Sequence, residues 1–471
     1  MVGATLREGQ ADLPSTESTH SYWHREPSVK LLGHRTTKDL PPTADVVVVG
    51  SGITGAFAAK ELKEAPGGAD KRVLLLEARE ACWGATGRNG GHCQPVTYGP
   101  NTEIADFELQ TYAYLRDLIA ENAIPCDWVS LRGCHALLSL DLVVQARKAV
   151  DALPPHLRSQ VRLFTDPEML RRLRVPDACG VVVQENAASV WPYKLVAWVF
   201  EDLLKRFAGE SEEGGGWFNL QTNTPATRLQ HLGDGSWIVH TDRGQVAARQ
   251  VLLASNAHTS RLLPSFSDLI VPVRGQVAAL LPEPRAEIGQ SYVFMASSYG
   301  DKKRNKDDYL IQRPSPGLEL ILGGGRANGT ARGVGISDDD ELDPVVAAYL
   351  RQAGASNLDL GGGDKAPEEL EARYEWTGIM AFSRDGRPWV GEVPAGGVLG
   401  GGEGLWVCAG YTGHGMPQAA LCGRAVAGMM AGRGDNGIKL PREFVLTEER
   451  AVRARKMPSI EEMDDMDMFL L

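Results

Sequence analysis

The sequence predicts an α/β protein in which a Rossmann-type βαβ domain of the dinucleotide-binding kind is interleaved with a second, mainly antiparallel β-sheet domain. Three observations predict it. A continuous β-branched run, ADVVVVG (44–50), is followed by a glycine turn and a helix-patterned segment, and a second apolar run, RVLLLEARE (72–80), ends in acid. Segments of the same buried-strand character, RQVLLASNAH (249–258) and GLWVCAGYTGHGM (404–416), stand far from that pair. From about residue 273 the pattern changes to strands with long, variable loops, so the two kinds of material alternate along the chain.

In chain order, residues 1–43 are polar and Pro-containing and read as a tail lying over the surface. ITGAFAAKELKEA (53–65) has helical spacing and is stopped by APGG, which completes a βαβ unit of ordinary length. IADFELQTYAYLRDLIAENAI (104–124) reads as an amphipathic helix, with short strands near 132–140 and 180–184. PYKLVAWVFEDLLKRFAG (192–209) reads as a helix with Pro in its first turn, and SEEGGG as a surface loop. SWIVHT and QVAA flank DRG as a hairpin, and 249–258 is a further strand. The charge clusters KKRNKDD (302–308) and SDDDELD (337–343) read as solvated loops. Residues 404–430 read as a strand, a glycine turn and a small-residue helix. The expected division is a tail (1–43), a dinucleotide domain (44–130, 190–272 and 375–440), a substrate domain (131–189 and 273–374) and a C-terminal extension (441–471).

Length and composition exclude several classes. The 471 residues suggest two or three domains at about 100–200 each, and 43% hydrophobic residues suffice for a full core. A net charge of −11 argues against a general nucleic-acid binder and against docking on anionic membrane. No window reaches the ~18 apolar residues of a membrane span. MVGATLREGQADLPSTESTH lacks the apolar core of a secretory signal, and Phe469-Leu470-Leu471 is not the peroxisomal tripeptide. The seven cysteines (Cys82, Cys93, Cys126, Cys134, Cys179, Cys408, Cys422) are scattered without a CxxC pair, as free thiols of a reducing compartment are. A cytoplasmic protein is the expectation. HExxH, paired-Cys metal spacing and GxSxG are all absent, so no metal site is expected.

GSGITG supplies Gly50, Gly52 and Gly55 between a strand and a helix, which is the context the GxGxxG fingerprint needs. The first Gly makes the turn, the second admits a pyrophosphate, and the third allows close helix–strand packing. Ile53 and Thr54 open the helix whose N-terminus faces the phosphates. Glu77 ends the next strand, 27 residues after Gly50, where a ribose-binding acid belongs; it would repel a 2′-phosphate, which disfavours NADP. GATGRNGGH (84–92) then selects FAD over NAD, because an extended FAD needs a second loop over its flavin end. Gly84, Ala85, Gly87, Gly90 and Gly91 let backbone run along the ligand, and Thr86, Arg88 and Asn89 are candidate donors to pyrophosphate, flavin oxygens or substrate.

Six stretches, DVVVVGSGITGAFAAKEL, VLLLEARE, GATGRNGGH, PVRGQ (272–276), WTGIMAFSRDGRPWVG (376–391) and LWVCAGYTGHGM, occur in order over nearly the whole chain. Together they resemble the flavin-dependent amine and amino-acid oxidase family that includes D-amino-acid, glycine and sarcosine oxidases. The resemblance is nearest to its gamma-glutamylputrescine oxidoreductase-like branch, whose fungal members carry a lead-in similar to SYWHREP…LLGHRTTKDLPPTADVVVVG. It implies an FAD-binding Rossmann domain and a sheet-based substrate domain with the flavin at their junction. It implies cofactor contacts from Ala78, Arg79, Ser255 and Asn256, with Ala226 and Thr227 presenting backbone to the adenine. Gly413, His414, Gly415 and Met416 would sit against the flavin pyrimidine edge, where a helix starting after Gly415 would stabilise reduced flavin. Arg384, Asp385 and Arg387 would order a loop over the ribityl chain.

Departures from the family also carry meaning. Some members attach FAD through a histidine where this chain has Arg88, and others through a cysteine near the position of Gly378, so non-covalent FAD is expected, with His92 and Cys93 the nearest alternatives. LELILGGGR (318–326) lacks the lysine that speeds oxygen reduction in sarcosine-oxidase-like members, leaving Arg88 or Arg326 to supply that charge. Oxidase and dehydrogenase therefore both stay open. The implied chemistry is hydride transfer from a C–H bond next to nitrogen to flavin N5, giving an imine, from a neutral amine. Arg88, His92, Arg274, Tyr299, Arg326, Trp376 and Tyr411 are the substrate-side candidates, the arginines as bidentate carboxylate holders. The partners are a small-molecule substrate and O2 or another electron acceptor. Rival readings are a tailoring oxidoreductase of a fungal natural-product pathway and a non-catalytic flavoprotein.

Overall fold

The structure is a computed structural model and describes residues 6–7, 9–208, 216–296, 306–434 and 437–463. The Val46–Val49 run forms the inner part of strand β1 (Thr43–Val49) and is buried on both faces, as a central parallel strand requires. The chain crosses back through helix α1 (Ile53–Glu64) to strand β2 (Val73–Leu76). The two strands pair in parallel, with Val46 opposite Val73 and Val49 opposite Leu76. Gly244–Leu253 pairs in parallel on the other side of β1, and Leu405–Ala409 lies beyond it. Phe218–Gln221 extends the sheet past β2, and antiparallel Trp389–Glu392 closes the opposite edge. The Ala419–Met430 helix packs on α1 where Gly423 removes a side chain; a Cβ there would fall 2.4 Å from the Thr54 carbonyl oxygen.

The expected hairpin is present, but its second arm and the expected strand 249–258 are one element. Nothing between Ala248 and Gln250 breaks the run, so Gly244–Leu253 pairs with Trp237–Thr241 over Gly244–Ala248 and with β1 from Ala247 to Leu253.

Among the described residues a second sheet has nine strands. Eight follow across in the order Ala372–Ser383, Ile270–Leu280, Leu320–Gly323, Lys306–Gln312, Gln290–Ala296, Val129–Leu137, Gly180–Ser189 and His92–Cys93, and Val161–Phe164 adds to Gly180–Ser189. It is antiparallel except between Gln290–Ala296 and Val129–Leu137. Ala372–Ser383 pairs continuously with Ile270–Leu280, Gly275 facing Gly378, so the segment after Trp376 belongs to this sheet as far as Ser383 and not to the dinucleotide half. The long helices lie close to their expected places, as Thr102–Glu121 (α2) and Pro192–Phe207.

Three surface expectations are corrected. Tyr22–His24 is a buried 3-10 turn and Leu31 is 1% exposed, so the lead-in, otherwise exposed or half-buried, is anchored into the interior at these points, where its aromatic rings bury their apolar area. In the acidic cluster 337–343, Asp339 is buried and Asp343 caps the Pro344–Ser356 helix through the Val345 and Val346 amides. In the cluster 302–308, Asp308 lies on a strand at 0% exposure, and 302–305 fall outside the described residues. All seven cysteines are free, six of them buried. Among the described residues no helix is long and apolar enough to cross a membrane.

Candidate active site

The glycine turn has the geometry its spacing predicts. Gly50 sits at φ +108°, and a Cβ on it would fall 2.6 Å from the Ala254 carbonyl oxygen. A Cβ on Gly55 would fall 2.0 Å from the Gly50 oxygen, so only glycine lets α1 pack on its own entry turn. Helix geometry leaves the first-turn amides of α1 without carbonyl partners inside the helix, and the N-cap residue, Gly52, has no side chain to cap them. Ile53 N–H donates to Thr86 Oγ1 at 3.0 Å, which stitches the second glycine stretch to that turn. Thr54 turns its hydroxyl away, to Tyr411 Oη at 2.8 Å.

Glu77 is buried just past β2. It accepts from Ser51 N–H (3.0 Å), the Ser51 hydroxyl (2.5 Å) and Arg79 N–H (2.8 Å), and a carboxylate has capacity for one more donor. The Phe218–Gln221 strand leads into a turn whose Asn223 and Thr224 amides donate to the Arg79 and Glu77 carbonyls; Ala226 and Thr227 follow at the start of a strand. Ala78 is half-buried beside them. Ser255 contacts Thr259, and Asn256, at φ +46°, accepts from Gly410 N–H at 3.0 Å.

In the 84–91 stretch the Arg88 and Asn89 side chains turn inward to protein partners, unlike their expected role as cofactor donors, whereas Thr86 Oγ1 stands at the glycine turn. The Arg88 guanidinium donates to the carbonyls of Trp83, Thr377 and Thr19 and lies 3.0 Å from Asp339. Burial pulls its pKa down to about 10 against the pull of Asp339. Arg79 forms a forked pair with the same carboxylate and also donates to Trp83 and Ser15 carbonyls. Asn89 closes its own turn, donating to Thr86 O and accepting from Gly91 N–H. Three of the glycines serve packing: a Cβ on Gly87, Gly90 or Gly91 would collide with His24, Tyr309 or Trp23 at 2.3, 2.2 and 2.6 Å. Gly84 has nothing within 4 Å of its Cβ position, and Gly52 only Thr86 Oγ1 at 3.1 Å, with half-buried Ala85 next to it.

The lead-in clamps this stretch from behind. Ser21 Oγ–H donates to Gly87 O at 2.7 Å, Trp23 Nε1–H donates to Asn89 O, and His24 Nε2 meets Cys82 O at 3.2 Å. Trp376, an expected substrate wall, is 0% exposed and donates to Arg88 O at 2.7 Å, so it is a brace.

Thr412 and Gly413 take positive φ and aim the next turn outward; Gly413 is exposed, and a Cβ on it would stay 3.4 Å from its nearest neighbour. The α-helix starts at Ala419 and not directly after Gly415; a turn through buried Met416 leads in, with Ala419 N–H donating to Gly415 O. Beneath it lies Glu108 of α2, 2% exposed, which accepts from Val96 N–H (2.8 Å) and Gln418 Nε2–H (2.7 Å) and meets His414 Nε2 at 3.1 Å. Gln418 Oε1 is buried with no hydrogen-bond partner, an acceptor held beside this turn. Tyr411 is corrected: its hydroxyl is enclosed by Thr54 and Cys408, and burial pushes its pKa well up, so it is a core residue.

In the second sheet Arg274 and Arg326 come together. With Gln276, Thr377 and Asp343 they line a cavity of about 20 Å³, room for one water. Arg274 pairs with Asp338 at 3.0 Å and Arg326 with Asp307 at 3.2 Å. His92 stands apart, at the exit of the glycine stretch, held by Gln94 and Ser291. Cys93 is fully buried and burial pushes its pKa far up. Tyr299 lies outside the described residues. Arg384, Asp385 and Arg387 bind the C-terminal extension, through Met457 O, Arg450 and Glu443, and not a ribityl loop. Asp339, Glu108, Gln418 and the Ser21–His24 clamp are site residues beyond the sequence expectation; only the aromatic SYWH carries a signal, since the others are polar residues in polar or helical surroundings.

These residues fit an extended dinucleotide. Open backbone at Gly52, Gly84 and Gly413, the α1 terminus, the spare capacity of Glu77 and the orphan acceptor of Gln418 form a discontinuous cradle whose parts follow the carboxyl ends of parallel strands of the first sheet. The family description "FAD dependent oxidoreductase" (DAO) matches residues 45–429. The gamma-glutamylputrescine oxidoreductase of Escherichia coli (strain K12) is 24% identical over 432 residues, covering 88% of this chain and 90% of that protein. The glycine oxidase of Pseudomonas aeruginosa is 25% identical over 82% of this chain and 95% of its own. In structure the chain is similar to the glycine oxidase from Geobacillus kaustophilus, with a TM-score of 0.67, 20% sequence identity, and coverage of 86% of this chain and 98% of that one. The match at 45–429 begins at β1, so the lead-in that clamps the glycine stretch lies outside it.

Proposed function

The chain belongs to the DAO family of FAD-dependent oxidoreductases, and we propose that it oxidises the C–N bond of an amine or amino acid, with FAD held non-covalently and O2 as the electron acceptor. The observation that carries the reading is the cradle: open backbone at Gly52, Gly84 and Gly413 lies beside the α1 N-terminus and the unpartnered Gln418 oxygen. Bound FAD would supply a two-electron acceptor for hydride from a C–H bond next to nitrogen, and the nitrogen lone pair would form the second bond of an iminium open to hydrolysis by water.

The α1 terminus would hold the pyrophosphate by its amides and dipole. Glu77 would give its remaining lone pair to a ribose hydroxyl. Gln418 Oε1 would accept from a ligand N–H. Non-covalent binding is supported by Arg88, spent on carbonyls and Asp339 at the position where some members attach FAD through histidine, and by Cys93, sealed in a strand. For a substrate carboxylate, Arg274 is better placed than Arg326. Its partner Asp338 has a side chain 51% exposed, so exchanging it for a substrate anion strands no buried charge, whereas Asp307 is 14% exposed.

Anaerobic absorbance titration with a panel of amines and amino acids, followed by admission of air, tests this. Bleaching of the flavin band with rapid recovery in air is the expected result. Bleaching with slow recovery removes O2 as acceptor. A yellow protein that no simple amine bleaches removes the simple substrate class and favours a tailoring enzyme of a natural-product pathway. A colourless protein that FAD cannot reconstitute overturns the whole reading.

A further inference from the structure

A line of polar side chains runs from His92, at the end of the glycine stretch, into the second sheet. His92 Nε2 lies 2.6 Å from Gln94 Oε1, Gln94 Nε2 meets His135 Nε2, and His135 Nδ1 lies 2.6 Å from the Tyr98 hydroxyl. Gln184 fixes the polarity of this line. Its amide oxygen accepts from Thr97 N–H (3.1 Å) and the Thr97 hydroxyl (2.8 Å), and its nitrogen donates to Pro95 O (2.7 Å), a group that can only accept. The same nitrogen lies 3.4 Å from His135 Nε2. A donor facing Nε2 requires a lone pair there, so the ring proton of His135 sits on Nδ1, toward Tyr98.

Gln94 must then give its NH2 group to His135 and turn its carbonyl to His92. His92 therefore carries its ring proton on Nε2, with Ser291 Oγ a further 2.6 Å neighbour, and keeps a lone pair on Nδ1. No residue described here takes up that lone pair. His92 is half-buried as a residue, and its ring lies 6.0 Å from the Tyr309 ring, which also packs on Gly90. Burial holds the ring neutral, with a pKa of about 4, and holds His135 at about 3, so protonation does not consume the lone pair at neutral pH.

We propose that His92 Nδ1 accepts a hydrogen bond from the N–H of the substrate amine, and that the substrates are therefore primary or secondary amines; the proposal rests on the C–N oxidation above. Hydride can leave carbon only if the nitrogen lone pair is free to form the new bond. An acceptor at the N–H orients the amine and leaves the lone pair of its neutral form unengaged. A tertiary amine has no N–H to offer and would strand Nδ1 against alkyl groups. Gln94 and His135 are positioning residues, since they act by setting the tautomer of His92.

Anaerobic flavin bleaching with matched secondary and tertiary amines, differing by one N-methyl group, tests this on wild type, His92→Asn and His92→Leu. FAD content and Tm serve as folding controls. Wild type should reduce at least about tenfold faster with the secondary amine. His92→Asn, whose amide oxygen can stand at the Nδ1 position, should keep the preference. His92→Leu should lose about 100-fold in rate on the secondary amine and no longer distinguish the pair. Equal rates for the two amines in wild type, or a His92→Leu enzyme as fast as wild type, overturn the proposal. If His92→Leu does not hold FAD, the wild-type pair and His92→Asn decide. If no amine of either kind bleaches wild type, the C–N reading fails first and takes this proposal with it.

Discussion

Arg88 and Asp339 form a buried ion pair, Nε to Oδ2 3.0 Å, with side chains 1% and 3% exposed, although 251 residues separate them in sequence. The same carboxylate takes the fork of Arg79. One acid from the second half of the chain thus holds two arginines, one just before the glycine stretch and one within it.

Asp339→Ala leaves both guanidiniums buried without their acid, and breaking a buried pair costs about 3–5 kcal/mol. The variant should lose that much unfolding free energy and lose FAD on gel filtration. Asp338→Ala, which removes a half-exposed partner of Arg274, should cost less than about 1 kcal/mol. Denaturant unfolding of the two variants side by side checks the contrast; equal losses would mean that Asp339 is not the organising charge.

The lead-in predicts a second outcome. Trp23 is 0% exposed, donates to Asn89 O and accepts through its own carbonyl from Trp191 Nε1–H. Trp23→Ala should cost about 3–5 kcal/mol and raise the Kd for FAD, because the glycine stretch loses the wall behind Gly91. Gly87→Ala should weaken FAD retention more than Gly84→Ala. A Cβ at Gly87 meets Cys82 O at 2.1 Å, while one at Gly84 meets nothing of the protein. FAD dissociation measured by fluorescence separates these; equal Kd values for the two glycine variants would refute the packing role of Gly87.

The elements that a local pattern specifies were legible in the sequence. The Val46–Val49 run, the glycine turn at Gly50 and the helix after it each follow from residues within a few positions. Side-chain direction was not legible. Arg88 sits in a stretch that reads as ligand-facing, yet its fork is satisfied by Thr19 and Thr377, partners distant in sequence on both sides. Asp339 hides in an acidic run whose other members are solvated or cap a helix, and burial of one acid leaves no mark on composition. Tyr411 follows a glycine in a chemically suggestive motif, but only the packing of α1 against the Ala419–Met430 helix reveals that its hydroxyl points into that interface.

Acid should destabilise the fold through its neutral histidines. Burial lowers the pKa of His92 from 6.5 to about 4 and of His135 from 6.5 to about 3. As pH falls, the unfolded chain takes up these protons first, so stability is complete above about pH 6.5 and declines toward pH 4. At pH 5 each histidine costs about 2 kcal/mol. His135→Gln should therefore show a smaller fall in Tm than wild type between pH 7.5 and 5.0, even if its Tm at pH 7.5 is lower. Parallel Tm–pH curves for the two proteins would refute this.

Glu108 and Gln418 give the sharpest electrostatic test, because their contact is 2.7 Å and both are buried. Gln418→Glu would replace a donor to Glu108 with a second carboxylate at the same distance. Two carboxylates that close cannot both ionise, so one is held protonated and its pKa rises. A group whose folded pKa is raised costs stability once pH exceeds its unfolded value, about 4.3 for Glu, and the cost grows until the folded pKa is passed. The variant should match wild type in Tm near pH 4.5 and fall progressively below it toward pH 8. FAD retention should follow the same slope, since the turn that carries His414 rests on Glu108. A pH-independent difference would mean that the two side chains separate when both are charged, and that the Glu108 platform is not rigid.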